Sequence, residues 1–207
     1  MSSSYEAKDI SAVQQQQLRQ QLLAKRAAIS APDRAAEAAA VSEHLLALPE
    51  LQKTKRIGSY ISVKAELPTP QLNQRLISMG HQLSVPVLHP VNTGHLLFLR
   101  VHPKTLWVPN KYHIPEPALQ VADITPLAHL DILLVPLVGF DHQGNRLGMG
   151  GGFYDRTLAA WHRGAYPHLQ VIGLALTCQQ TPKLPVNPWD IPLNKVITAA
   201  KVWDFLR

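Results

Sequence analysis

Four glycines fall within the five positions 148–152, between Arg146 and Asp155. Glycine has no side chain, so the backbone N–H groups of such a loop are open to a bulky ligand. The loop follows an apolar run over 132–140 that is typical of a buried strand. A strand, a bare loop and a helix start commonly hold phosphate, and a flanking arginine would neutralise its charge. The pattern therefore predicts a nucleotide site.

This loop matches neither of two common nucleotide motifs. The Gly-Lys-Ser/Thr of a P-loop does not follow the glycines, and Phe153 stands where the third glycine of the dinucleotide fingerprint would fall. A turn that merely reverses the chain is the alternative. Such a turn needs only one or two glycines, and residues 140–144 already supply one upstream. The spacing therefore favours phosphate binding over a plain turn.

The composition is that of a folded, non-membrane protein. The chain has 207 residues, of which 46% are hydrophobic and 16% charged, which suits a single globular domain. Its first residues lack the basic region and apolar core of a signal peptide, and its longest apolar run is far shorter than the roughly 18 residues of a membrane span. The single cysteine, Cys178, excludes an internal disulfide and suits a reducing compartment. We expect a cytoplasmic protein.

The net charge of +6 raises the question of nucleic acid as a partner. Lysine and arginine are spread along the chain, however, without a dense basic run or an RNA-binding motif. A basic surface serves small polyanions such as nucleotides or polycarboxylates equally well. RNA binding remains an alternative function, and it predicts an affinity that falls with salt.

Helical and strand patterns alternate along the chain. They predict helices over 14–29, 30–48, 69–79 and 153–162, and strands over 56–62, 81–88, 96–101, 131–140, 170–176 and 196–199. Ser30 and Asp33 have the spacing of a helix cap. Because several strands are apolar throughout, we expect an α/β protein, a three-layer α/β/α domain with a mainly parallel central sheet. The domain would span 11–207 after a disordered tail over 1–10, with the Pro-rich segments 103–126 and 181–192 as loops around a site.

The residues around the glycine loop resemble the hallmark of a known family. Segments 136–141, 144–148 and 150–156 are closely similar to the signature of the 5-formyltetrahydrofolate cyclo-ligases, also called methenyltetrahydrofolate synthetases. The resemblance extends over most of the chain beyond a short N-terminal tail, through positions 18–19, 57–66, 83–90 and 185–192. It is nearest to the form found in enteric-type bacteria.

This resemblance implies an ATP- and Mg²⁺-dependent ligase. Family members convert 5-formyltetrahydrofolate to 5,10-methenyltetrahydrofolate and release ADP and phosphate. The formyl oxygen is activated by phosphoryl transfer, and nitrogen-10 then attacks the formyl carbon. The substrate would be the folate with or without a polyglutamate tail, and the protein a monomer or small homo-oligomer. A non-catalytic protein that stores 5-formyltetrahydrofolate is the alternative within the same chemistry.

The resemblance also assigns roles to individual positions. The nucleotide-binding positions are Arg19, Arg146, Leu147, Gly148, Met149, Gly150, Gly151, Gly152, Phe153 and Tyr154. The folate-binding positions are Ile61, Glu66, Met149, Gly150, Gly151, Gly152 and Phe153. The acidic positions associated with Mg²⁺ are Asp155 and Asp190, and Arg146 is the residue expected to act on the reacting phosphate. Gln15 stands where the family pattern has lysine, and Gly151 stands where some relatives have lysine.

The charged positions also have ordinary structural explanations. Glu66 would be an exposed loop residue, Arg19 a solvated residue on a helix and Arg146 a surface residue in a turn. Asp155 would be a helix-start acid favoured by the helix dipole, and Asp190 a loop acid that caps a turn. Ten histidines are present without the spacing of a zinc site.

Two aromatic residues remain undecided by the sequence. Trp107 and Tyr112 both fall within the irregular segment 103–126. They would either line a folate pocket or pack the loop.

Overall fold

The computed structural model describes the backbone of residues 2–205 and the side chains of residues 12–205. The helices are α1 (Ser2–Ala28), α2 (Ala31–Leu46), α3 (Pro70–Ser78) and α4 (Phe153–His162). The strands are β1 (Arg56–Gly58), β2 (Gln82–Leu88), β3 (Leu96–Arg100), β4 (Trp107–Pro109), β5 (Pro115–Pro117), β6 (Ile124–Thr125), β7 (Ile132–Pro136), β8 (Gly139–Phe140), β9 (Arg146–Leu147), β10 (Gln170–Leu174), β11 (Lys195–Ile197) and β12 (Val202–Asp204). The side chains of residues 1–10 lie outside the described part of the chain, so the disordered tail expected there stays a prediction.

One mixed sheet forms the centre of the molecule. Within the described residues it has eight strands in the order β12-β11-β10-β7-β1-β2-β3-β6. The five neighbouring strands from β11 to β2 are parallel, whereas β12, β3 and β6 join the edges through antiparallel pairings. The expected α/β class with a mainly parallel sheet is confirmed.

Both faces of the sheet are buried, as the alternation along β7 shows. Ile132 and Leu134 pack in one apolar cluster with residues of α2 and α3. Leu133 and Val135 point to the other face, into a cluster that includes Leu158 of α4. Successive side chains of a strand alternate between faces, so a strand covered on both sides must be apolar throughout. Helices on both faces give the three layers expected from the sequence.

The helix starts follow local sequence signals. The backbone N–H of Asp33 donates to the side-chain oxygen of Ser30 at 3.2 Å, so the cap predicted for α2 is confirmed. The positions of α3 and α4 also agree with the prediction. These signals are reliable because a cap and the N–H that it satisfies lie within three residues of each other.

The strand predicted over 131–140 is too long, because the observed strand ends at Pro136. The strand β7 ends there, and residues 139–140 instead pair with 146–147 in a separate antiparallel hairpin, β8–β9. Gly139 allows this hairpin to approach α1, since a Cβ at Gly139 would lie 2.5 Å from the Leu22 side chain. The hairpin places Arg146 and the glycine loop beside α1.

Three further segments differ from the sequence prediction. The strand predicted over 56–62 ends at Gly58, and the residues beyond it form a turn region. The segment 103–126 is not wholly irregular, because it contains the hairpin β4–β5 and the short edge strand β6. The chain also continues past the strand predicted at 196–199, since β12 pairs antiparallel with β11. Within residues 2–205, no helix combines the length and apolar character needed to cross a membrane.

Gly144 should be one of the glycines that the fold cannot replace. Its φ is +78°, and an added Cβ would lie 2.4 Å from the backbone oxygen of Leu193. We expect Gly144→Ala to lower the free energy of unfolding by about 3 kcal/mol, since it combines backbone strain with a clash against backbone. Urea denaturation would measure this. Gly164 has a φ of +87°, and no described atom lies within 4 Å of an added Cβ, so Gly164→Ala is a matched control with an expected loss of about 1 kcal/mol. Equal losses in the two variants would contradict the clash.

Candidate active site

A large cavity opens at the carboxyl ends of the central parallel strands. Its volume is about 1510 Å³, and its wall includes Tyr60 and Ile61 after β1, residues 86–88 at the end of β2, and Leu137 after β7. The strand β1 has β2 on one side and β7 on the other. The cavity therefore lies at the topological switch point of the sheet, where successive strands are added on opposite sides of β1. A typical ligand pocket has a volume of about 300–1,000 Å³. The larger cavity here leaves room for two ligands together.

Every residue that the sequence indicated for nucleotide, folate or magnesium lines this cavity. They are Arg19, Ile61, Glu66, Arg146, Leu147, Gly148, Met149, Gly150, Gly151, Gly152, Phe153, Tyr154, Asp155 and Asp190. The set comes from four separate regions of the chain, which only the tertiary structure brings together. Their roles toward each ligand remain predictions.

The glycine loop ends at an open helix start. Gly150 has a φ of +94° and Gly152 a φ of +64°, a left-handed conformation that side chains disfavour. Gly152 is the residue that precedes α4, and no described side chain caps this helix. The first N–H groups of a helix have no partner within it, and the helix dipole is positive at this end. The geometry therefore suits an anion beside the loop.

Two arginines hold the loop by its carbonyl oxygens. Arg19 Nε, from α1, donates to the carbonyl of Gly148 at 2.8 Å. Arg156 donates through Nε to the carbonyl of Gly94 at 2.9 Å and through Nη2 to that of Gly151. Sequence reasoning missed this positioning role of Arg156, although the residue closes the glycine motif. Arg156 thus ties the loop to the turn before β3.

Arg146 and Asp155 form a direct ion pair. Arg146 Nη2 donates to Asp155 Oδ1, which also accepts from the backbone N–H of Ile191 at 3.3 Å. The Arg146 side chain is buried, its guanidinium lies 5.9 Å from the ring centre of Tyr154, and its Nε has no partner within the described residues. A buried donor without a partner is costly, so an anionic acceptor beside this arginine would be stabilising.

Asp190 is also held by hydrogen bonds, which connect it to α1. Its Oδ2 accepts from Gln15 Nε2 at 2.9 Å and from the backbone N–H of Asn187 at 2.7 Å. Gln15 is buried and donates to the carbonyl of Pro185 as well. The neutral amide of Gln15 therefore joins α1 to the loop that carries Asp190.

Glu66 is buried, not an exposed loop residue. It is 9% exposed, and its Oε2 accepts from the backbone N–H of Val63 at 2.9 Å. Burial raises the pKa of this carboxyl, and the hydrogen bond from Val63 and the positive charge of Arg26 oppose that rise. A carboxylate removed from water in a ligand cavity is placed to accept hydrogen bonds from a ligand.

The structure separates the two aromatic residues of segment 103–126. Tyr112, in the β4–β5 hairpin, lines the cavity, and its ring meets that of Phe153 edge to face at 6.2 Å between centres. Trp107 lies instead beside a smaller pocket of about 310 Å³. The hairpin therefore reaches the glycine loop through one aromatic contact.

Fold and site together define a class of protein. Three features are typical of α/β enzymes that use a nucleotide. They are a parallel sheet covered on both faces, a ligand cavity at the topological switch point and a glycine loop suited to an anion before a helix. Residues 11–199 match the model of the 5-formyltetrahydrofolate cyclo-ligase family. The chain belongs to this family.

Individual relatives agree with this assignment. The 5-formyltetrahydrofolate cyclo-ligase of Escherichia coli (strain K12) is 45% identical over 161 residues, which are 78% of this chain and 87% of that protein. That of Haemophilus influenzae is 42% identical over 182 residues, 88% of this chain and 96% of that protein. The solved structure of Aquifex aeolicus 5,10-methenyltetrahydrofolate synthetase has a TM-score of 0.77 at 27% identity and covers 93% of both chains. The resemblance and enzyme class predicted from the sequence are confirmed.

Proposed function

We propose that this chain catalyses the ATP- and Mg²⁺-dependent cyclisation of 5-formyltetrahydrofolate to 5,10-methenyltetrahydrofolate, with release of ADP and phosphate. Family membership supports the reaction. The observation that carries its location is that the glycine loop, Arg146 and the buried Glu66 line one cavity large enough for both substrates.

The chemistry explains why a nucleotide is consumed. The formamide oxygen of the substrate is a poor leaving group, so the γ-phosphoryl group of ATP is transferred to it and ADP departs. Nitrogen-10 then attacks the formyl carbon and loses its proton, and the C–O bond breaks as phosphate leaves. Phosphoryl transfer requires mainly positioning and charge stabilisation from a protein. The groups of this cavity suit those two tasks.

The cavity residues fall into two groups, donors that would bind the phosphates and an acceptor that would bind the pterin. Arg146, Arg19 and the first N–H groups of α4 would hold the phosphates, because all of them are donors at the glycine loop. Glu66 would accept hydrogen bonds from the amino edge of the pterin, for which a carboxylate is a suitable acceptor. Ile61 supplies an apolar contact beside it.

The donor set of the cavity fits magnesium held by two carboxylates. Within the described residues, no group of three or more His, Cys, Asp or Glu side chains is placed to hold a metal ion. Among the described residues, the hydrogen bonds given above use one carboxylate oxygen each of Asp155 and Asp190, so the other oxygen of each would be left for a cation. Magnesium prefers one or two carboxylates together with water and phosphate oxygens. When bound there, it would neutralise charge on the phosphates.

Asp155→Asn should raise the magnesium concentration needed for half-maximal rate by about tenfold or more, since a carboxylate ligand becomes a neutral amide. Initial rates measured against magnesium at fixed ATP would show this. Asp131→Asn is the control, because Asp131 accepts from the backbone N–H of Arg56 at the opposite, amino end of β7. Identical magnesium curves for the Asp155 variant and the unaltered protein would remove this residue from the metal site.

Basic side chains at the cavity wall support a substrate with a carboxylate tail. Lys64 and Arg163 line the cavity and are exposed. Such groups attract the carboxylates of the glutamate end of folate, whether one glutamate or several, and the attraction weakens with salt.

The reaction is tested by the growth of the near-ultraviolet absorbance of 5,10-methenyltetrahydrofolate from 5-formyltetrahydrofolate, ATP, magnesium and purified protein. We expect the band to appear together with an equal amount of ADP and to be lost without magnesium. Saturable folate binding without the band would favour the storage function instead. RNA affinity that falls with salt, with no response to folate, would favour the nucleic-acid alternative.

A further inference from the structure

Arg26 is a buried cation in the wall of the cavity to which the sequence assigned no ligand. It lies on α1 and is 3% exposed. Its Nη1 donates to the carbonyl of Leu137 over a long 3.5 Å, and its Nε has no partner within the described residues. Buried guanidinium donors are costly when they are not satisfied, so this site calls for an acceptor that arrives with a ligand.

Among the acidic residues that line the cavity, Glu66 is the one whose charge acts on Arg26. Burial lowers the pKa of Arg26, and the negative charge of Glu66 opposes that change, so the two groups sense one another. Both are described residues that line the cavity, and no ion pair within 4.0 Å joins them. Two buried, opposite charges that do not touch leave a space for a ligand with donors on one side and an acceptor on the other.

We propose that Arg26 is a further substrate-binding residue, which donates to a carbonyl oxygen of 5-formyltetrahydrofolate while Glu66 accepts from its amino edge. This inference rests on the proposed function. The pterin carries two N–H donors, the 2-amino group and N3–H, followed by the 4-oxo oxygen and then the formyl oxygen on nitrogen-5. A carboxylate and a guanidinium at a distance from each other match this row of two donors followed by acceptors.

The consequence is selectivity for folates that carry the carbonyl oxygen to which Arg26 donates. A site built to hydrogen-bond a particular group discriminates strongly against an analogue without it, because its own buried donors are then left unpaired. Arg26 would thus recognise a carbonyl oxygen that the phosphate-binding residues of the loop do not reach.

The test compares Arg26→Gln with Lys25→Gln, an equal loss of charge at the exposed neighbouring position. We expect Arg26→Gln to raise the KM for 5-formyltetrahydrofolate about 30-fold and to change the KM for ATP less than about twofold, since buried hydrogen bonds to charged groups are the stronger ones. Lys25→Gln should change neither. Arg26→Lys keeps the charge without the planar fork and should give an intermediate loss. Thermal unfolding would be followed for all three variants.

Calorimetric binding of 5-formyl- and 5-methyltetrahydrofolate distinguishes the two carbonyl oxygens. An equal loss of both affinities in Arg26→Gln identifies the 4-oxo group, and a loss confined to the 5-formyl compound identifies the formyl oxygen. Unchanged folate affinity overturns the inference, as do parallel losses of folate and ATP affinity with a lower Tm while Arg26→Lys keeps full affinity. Unaltered protein that binds folate but forms no methenyl product refutes the proposed function, and these binding measurements still decide the role of Arg26.

Discussion

Replacing Arg146 with alanine is expected to lower kcat about 10³-fold while the protein remains folded. The guanidinium is buried beside the glycine loop, and its Nε has no partner in the part of the chain that the structure describes. Such a preorganised cation acts in a site of low dielectric, where its interaction with the transferring phosphoryl group is far stronger than in water. Steady-state rates with saturating ATP and folate would measure the loss. Because the charge would act mainly in the transition state, we expect kcat to change much more than the KM for ATP.

The paired Asp155 requires a second variant. Alanine at position 146 leaves that carboxylate without its ion-pair partner, so part of the effect would come from disturbance of the loop. Arg146→Lys retains the charge but not the planar fork, and it should recover part of the rate. Arg75→Ala is the control, since Arg75 pairs with Glu43 at an exposed position. Near-normal kinetics of both Arg146 variants would remove this residue from the site.

The second large effect is expected from Glu66→Gln. An amide of the same size presents an NH₂ group where a carboxylate oxygen would meet the pterin donors, so the KM for 5-formyltetrahydrofolate should rise about 30-fold. The KM for ATP should change little, because the phosphates lie at the glycine loop. Steady-state titration of each substrate would separate the two effects. Glu43→Gln, at the exposed end of the Arg75 pair, is the matched loss of a carboxylate.

The pH dependence provides an independent test of Glu66. Burial raises the pKa of its carboxyl above the usual 4.5. Folate donors require the charged form, so kcat/KM for folate should fall as the pH is lowered through this raised pKa. That fall should be absent from Glu66→Gln, in which the group does not titrate. An unchanged folate KM, or the same acid limb in both proteins, would contradict the assignment.

The features that the sequence by itself determined are those set by neighbouring residues. The Ser30 cap, the start of α4 after Gly152 and the all-apolar pattern of β7 depend on residues a few positions apart. Hydrogen bonds and sterics at that range are already decided by the chain. The glycine loop was predicted for the same reason, since its open N–H groups are a property of consecutive residues.

Other features depended on which segments pack together. Glu66 is an ordinary loop residue by its local sequence context, and only the fold buries it in the same cavity wall as Arg26. Asp190 meets Gln15 across 175 positions of chain. The break of the predicted strand at Pro136 likewise follows from the hairpin that packs against α1. No local pattern encodes such contacts, because burial and its effect on charge arise only when distant segments exclude water from one another.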